Sequence, residues 1–158
     1  MRDLHDTLSS VVVERFTTLR KKIHDLADTL TENQLWQKPL PFGNSFGHLV
    51  LHLTGNLSYY IGAQMARTGY TRHRNLEFTD TNHPPKQETL ERFDQAVDMV
   101  LQTVQAQSPE EWSRDYTGTG TDARSRIDIV VRCLSHMELH IGQMIYLQYA
   151  LHRLPSAV

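Results

Sequence analysis

An all-α fold, a four-helix bundle, is predicted by three observations. Four long segments repeat apolar residues at helical spacing. The prolines fall between or after those segments. One connection, between the second and third segments, is long enough to cross a bundle, whereas the others are short enough to join neighbours.

The first segment runs from Asp3 to Leu30, with Leu4, Leu8, Val11, Val12, Phe16, Leu19, Ile23, Leu26 and Leu30 on the i, i+3, i+4, i+7 template. Thr31-Glu32-Asn33-Gln34 then reads as a capping box that opens one short turn, before Pro39 and Pro41 break the chain. Asn44 or Ser45 can cap the second helix, which runs to Arg67 with Phe46, Leu49, Val50, Leu53, Leu57 and Tyr60 on one side. Gly69 marks its end, and residues 68–86 form the crossover. The third helix, Gln87 to Gln105, carries Leu90, Phe93, Val97, Val100 and Val104. Ser108-Pro109-Glu110-Glu111 is a further helix start, with Pro at the first helical position. Gly118 and Gly120 mark a loop, and the fourth helix follows from Asp122 to Leu151. Residues 1–151 thus make one domain and residues 152–158 a frayed tail.

Composition narrows the function. A formal net charge of -2 excludes a strongly basic nucleic-acid footprint, and the sequence holds no apolar run of membrane-spanning length. The acidic, polar start Met1-Arg2-Asp3-Leu4-His5-Asp6 is unlike a signal peptide. The single cysteine, Cys133, cannot form an intramolecular disulfide, which fits a reducing, cytoplasmic setting. The compositional oddity is nine histidines.

Two histidine pairs stand four residues apart, His48/His52 and His136/His140, a spacing that puts each pair on one helix face. Angular position separates them. At 100° per residue, His52 lies about 100° from the centre of its helix's apolar stripe, beside Asn56 and Tyr59, and His48 about 140° away, towards solvent. On the fourth helix the stripe centres near Met137, and His140 and His136 lie about 60° and 100° from it. His52, His136 and His140 therefore edge inward faces, and three ligands from two helices leave a metal ion with positions for water or substrate. Imidazole ligands suit zinc or nickel. Glu138, two places after His136, points to the far side of the helix and is not placed as a general base. Cys133, one turn before His136, reads as a small core residue rather than a soft ligand. His5, His24, His83 and His152 read as solvated or rim residues.

The run Leu35-Trp36-Gln37-Lys38-Pro39, then Asn44-Ser45-Phe46-Gly47-His48-Leu49-Val50-Leu51-His52-Leu53, resembles the start of DinB/YfiT-like domains. His136-Met137-Glu138-Leu139-His140-Ile141-Gly142-Gln143 resembles the last-helix signature of the same family. The resemblance covers essentially the whole chain. It implies a bundle in up-down-down-up order, often a homodimer, with a metal held by one histidine of the second helix, matching His52, and two of the last, matching His136 and His140. Relatives include thiol-dependent transferases and isomerases that use bacillithiol or mycothiol.

The activity expected is therefore transfer of a thiol to a small electrophile, the metal lowering the pKa of bound thiol or water, with metal-assisted hydrolysis as runner-up. Gln143, Tyr59 and Asn56 are candidates for orienting ligands or substrate. Arg72, with His73 and Arg74, could bind a carboxylate of the thiol or substrate, though a solvated loop is the simpler reading. The rival function is a non-catalytic dimer that binds a metal or small ligand as sensor or scaffold. Trp112 and Tyr116 are candidate surface aromatics for the dimer face.

Overall fold

Local signals in the chain start each helix. The computed structural model describes residues 3–153. Helix α1 spans Leu4–Asp28 and buries Val12, Phe16, Leu19, Ile23 and Ala27. Leu4 and Val11, counted in the apolar stripe, are exposed instead; Val11 stands one residue, about 100°, off Val12 and so leaves the covered face. The Thr31 hydroxyl accepts from Gln34 N at 3.2 Å and Gln34 Oε1 accepts from Thr31 N at 2.9 Å, a capping box that starts the short α2, Glu32–Trp36. Ser45 caps α3, Phe46–Leu57, by accepting from His48 N at 3.1 Å.

Beyond Leu57 the chain stays helical but widens into a π-helical segment, Ser58–Ala66. Its hydrogen bonds close over five residues rather than four. The angular step per residue therefore falls below 100°, and predictions made on an α-helical wheel fail past Leu57. Arg67, at φ 55° in the left-handed region, ends the segment.

The crossover is not structureless. It contains a short helix, α4, at Leu76–Thr79, whose Glu77 is buried. Helix α5 spans Lys86–Gln105 and buries Leu90, Phe93, Val97, Val100 and Val104. Ser108 caps α6, Pro109–Ser113, accepting from Glu111 N at 3.2 Å. The last helix, α7, covers Arg126–Arg153 rather than starting at Asp122. Residues 122–125 are held away from helical geometry because Tyr116 N donates to Arg124 O and Arg126 N to Arg114 O, each at 3.0 Å, around the bridge pair Asp115–Ser125. That pair is the sole β-type pairing among the described residues. At the other end α7 continues two residues past Leu151, with His152 Nε2 donating to Thr29 O at 3.2 Å. The rest of the expected tail, residues 154–158, lies outside the described residues.

Helix α1 packs on α5 and α7, and α3 packs on the same two helices. Cross-links give the directions. His24 Nε2 meets Asp94 Oδ1 at 2.8 Å and Arg20 Nη1 meets Asp98 Oδ1 at 2.6 Å, so α1 and α5 are antiparallel. Arg15 pairs with Glu138 and Gln148 Nε2 donates to Thr29 Oγ1 at 2.8 Å, so α1 and α7 run the same way. Leu49 shares a cavity with Gly142 and Leu147 whereas His52 meets His136, so α3 and α7 are antiparallel. The core between these helices includes Phe16, Phe46, Leu53, Phe93, Met137 and Met144, all fully buried. Trp112 and Tyr116 belong to this interior and not to the surface. Trp112 Nε1 donates to Ser9 Oγ at 3.3 Å, and the Tyr116 hydroxyl donates to Tyr60 O at 2.9 Å. No helix among the described residues is long and apolar enough to cross a membrane.

A Cβ on Gly47 would lie 2.6 Å from Trp36 Cζ3, so α2 seats against bare backbone of α3. Gly47→Ala is expected to lower unfolding free energy by about 1–3 kcal/mol through overpacking, despite the better helix propensity of alanine. Urea titration followed by circular dichroism checks this; an unchanged midpoint would refute the tight seat.

Candidate metal centre

The antiparallel register of α3 and α7 brings three imidazoles together. His52 Nε2 lies 3.1 Å from His136 Nε2, which lies 3.0 Å from His140 Nε2. One nitrogen from each ring falls within 4.8 Å of the others, a grouping able to hold a metal ion. Around a tetrahedral zinc ion with Zn–N bonds of about 2.0–2.1 Å, ligand nitrogens stand about 3.3 Å apart, so the cluster is close to the required span.

The outer ring nitrogens support the same orientation. His52 Nδ1 donates to Glu77 Oε2 at 2.8 Å, and His140 Nδ1 donates to Gln143 Oε1 at 2.7 Å. Protonation at Nδ1 leaves both Nε2 lone pairs facing the cluster, as metal ligation by neutral imidazole needs. His136 Nδ1 is buried without a partner.

Burial disfavours the charged form of two of these rings, His136 and His140. His136 is pushed down to about 4, first by burial and then by the neighbouring His140 and His52, with Arg72 and Arg74 adding to it. His140 is lowered mainly by burial, against the raising effect of its bond to Gln143. Burial disfavours ionised Glu77, yet its bonds from His52 and Arg72 outweigh that penalty and hold the carboxyl below its usual range.

A cleft of about 500 Å³ adjoins the cluster, lined by His52, His136, Asn56, Tyr60, Arg74 and Cys133 among others. Asn56 is buried, and its Oδ1 has no hydrogen-bond partner. Tyr59 does not line the cleft; its hydroxyl is 2.8 Å from Thr119 Oγ1. Tyr60 takes the place expected of it, because the π-helical segment changes the phase of the helix just past Leu57. Arg72 also lines the cleft, but its guanidinium is engaged with Glu77, Nε to Oε1 at 2.7 Å and Nη2 to Oε2 at 2.9 Å. Arg74 is exposed and makes no ion pair among the described residues. Cys133 is buried and its thiol is pushed up to about 12 by desolvation, the behaviour of a core residue. Glu138 is on the outer face, paired with Arg15.

Glu77 is the residue that the sequence reading missed. An acid inside a polar connection resembles any solvated acid, and neither periodicity nor spacing ties it to His52, 25 positions earlier. His48 is the converse. Read as solvent-facing, it is buried, because α2 and the crossover cover that side of α3. Its Nε2 donates to Asp80 O at 3.0 Å, its Nδ1 accepts from Ser45 Oγ at 2.7 Å, and its ring meets Trp36 edge-on at 5.2 Å. His83 stacks on Trp36 at 4.7 Å, and His24 bonds Asp94.

The chain belongs to the protein family of unknown function DUF1572, whose sequence profile matches residues 4–154. Its fold is similar to that of a solved structure described as the conserved protein of a locus from Enterococcus faecalis. That match has 14% sequence identity and a TM-score of 0.74, covering 91% of this chain and 96% of that one. No functionally curated protein matches the chain.

Burial holds His48 below its ordinary pKa in the folded chain. The unfolded chain therefore takes up more protons as pH falls below about 6.5, and folding stability is lost on acidification. Chemical denaturation between pH 7 and pH 5 is expected to show unfolding free energy falling with pH, with a shallower slope in His48→Gln. Equal slopes would count against a buried neutral His48.

Proposed function

We propose that this chain is a DinB-like metal-binding protein in which His52, His136 and His140 hold one divalent ion, zinc or nickel. We read it as an enzyme that activates a thiol or water for transfer to a small electrophilic substrate. The observation that carries this reading is the convergence of three Nε2 atoms from α3 and α7 beside a cleft that a small molecule can enter. A bound divalent ion supplies Lewis acidity, lowering the pKa of a thiol or water at neutral pH.

The protein's own groups supply orientation and recognition. Glu77 and Gln143 fix the ring planes of His52 and His140. Asn56 offers a buried acceptor to a substrate N–H or O–H, since an unpaired buried oxygen is costly until it finds a donor. Arg74, at the mouth, can receive a carboxylate or other anion. Arg72 contributes positive field and is held by Glu77, which makes it a poorer direct clamp than its loop position suggested. The reading extends to a four-helix bundle in up-down-down-up order, supported by the pairwise directions of α1, α3, α5 and α7. It also extends to a homodimer, supported by exposed Phe42, Leu139 and Tyr146 around one apolar hollow, and to a cytoplasmic setting, which the single, unpaired cysteine fits.

Elemental analysis of protein purified without a metal-affinity tag tests the central claim. About one zinc or nickel per chain is expected, lost in His52→Ala and His140→Ala while the helical circular dichroism persists. Protein that neither carries nor takes up either metal would overturn the reading.

A further inference from the structure

We propose that Glu77 is a positioning residue for His52, clamped in place by Arg72 and admitted by a gap in α3 at Gly55; the inference rests on the metal-binding reading above. Three observations meet at this carboxylate. One oxygen accepts from His52 Nδ1 at 2.8 Å. Both oxygens receive the Arg72 guanidinium, at 2.7 and 2.9 Å. A Cβ built on Gly55 would fall inside van der Waals contact with Glu77 Oε1 and Cδ.

Glycine inside an α-helix is unfavourable relative to alanine, so a glycine one turn from the cluster needs a reason. Here the carboxylate occupies the volume a side chain would fill. The side chains of His52, Glu77 and Arg72 are all at least nine-tenths buried. Burying that many ionisable groups is costly unless each is paired, and a simple tether for the crossover could be made at lower cost on the surface. A carboxylate on the outer nitrogen of a ligating histidine fixes its tautomer and ring plane and raises its basicity. The crossover thus contributes to the centre: residues 72–77 deliver the group that orients a ligand on α3, and the cluster is incomplete until this segment docks.

The test compares wild type with Gly55→Ala, which displaces the carboxylate, and Glu77→Gln, which keeps its shape and removes its charge. Zinc affinity is measured by competition with a chromophoric chelator, and cobalt(II) is loaded as a spectroscopic substitute. The zinc dissociation constant is expected to rise about 10–100-fold in both variants with unchanged helical signal. The visible cobalt band of Glu77→Gln is expected to move, which a mere tether would not cause. If Gly55→Ala loses its helical signal, Glu77→Gln carries the comparison alone. Equal affinities and identical cobalt spectra would overturn the inference and leave the three-histidine centre standing. A wild-type chain that binds no zinc or cobalt would overturn both.

Discussion

Everything at the candidate centre depends on the register between α3 and α7. Two histidines one turn apart on α7 are set by the helix itself, but the third nitrogen arrives only if α3 lies antiparallel with His52 level with His136. Apolar packing sets that level. Leu49 and Leu53 on α3, and Met137, Ile141 and Met144 on α7, are all buried in the core. A shift of one residue along an α-helix moves a side chain by about 1.5 Å along the axis and 100° around it. Either displacement would take a ring nitrogen out of the cluster. The burial of ordinary apolar side chains is therefore what holds the three ring nitrogens at one point.

The same cluster shows how polar groups are accommodated in an apolar seam. His52, His140 and His48 direct a ring nitrogen to a carboxylate, an amide and a carbonyl respectively, whereas His136 Nδ1 has no partner. Glu77 in turn is matched by Arg72, so charge burial on the crossover side is compensated pairwise. The histidines and their partners come from three separate stretches of chain, α3, the crossover and α7. The centre can consequently form only in the assembled fold.

Much of this was legible in the sequence, because helices announce themselves through local rules. The apolar spacing of α5, the Ser45 and Ser108 caps and the Thr31–Gln34 capping box each involve residues within four positions of one another. The angular argument also separated His52 from His48, since it needs only the helix period. What it could not supply was the covering of α3's far side. His48 was read as solvent-facing because nothing in the sequence says that Trp36 and Asp80 fold over it. Glu77 and Gly55 were invisible for a related reason: their meaning lies in each other's volume, across more than twenty positions of chain. Trp112 and Tyr116 were misread as surface residues because short linking segments carry too few residues to show a buried side by periodicity.

The π-helical segment Ser58–Ala66 begins two residues beyond Asn56. An α-helix can absorb a change of length only by rotating everything after it, whereas a wider turn takes up an extra residue locally. Placed there, the segment works as a phase shifter. Upstream of it, the His52-bearing side of α3 stays locked to α7. Within it, the choice of which aromatic ring faces the cleft answers to a separate register. One residue gained or lost at 58 or 59 would exchange Tyr60 for a neighbour at the cleft wall without moving His52, so the lining of the cleft is free to diverge while the histidines stay fixed.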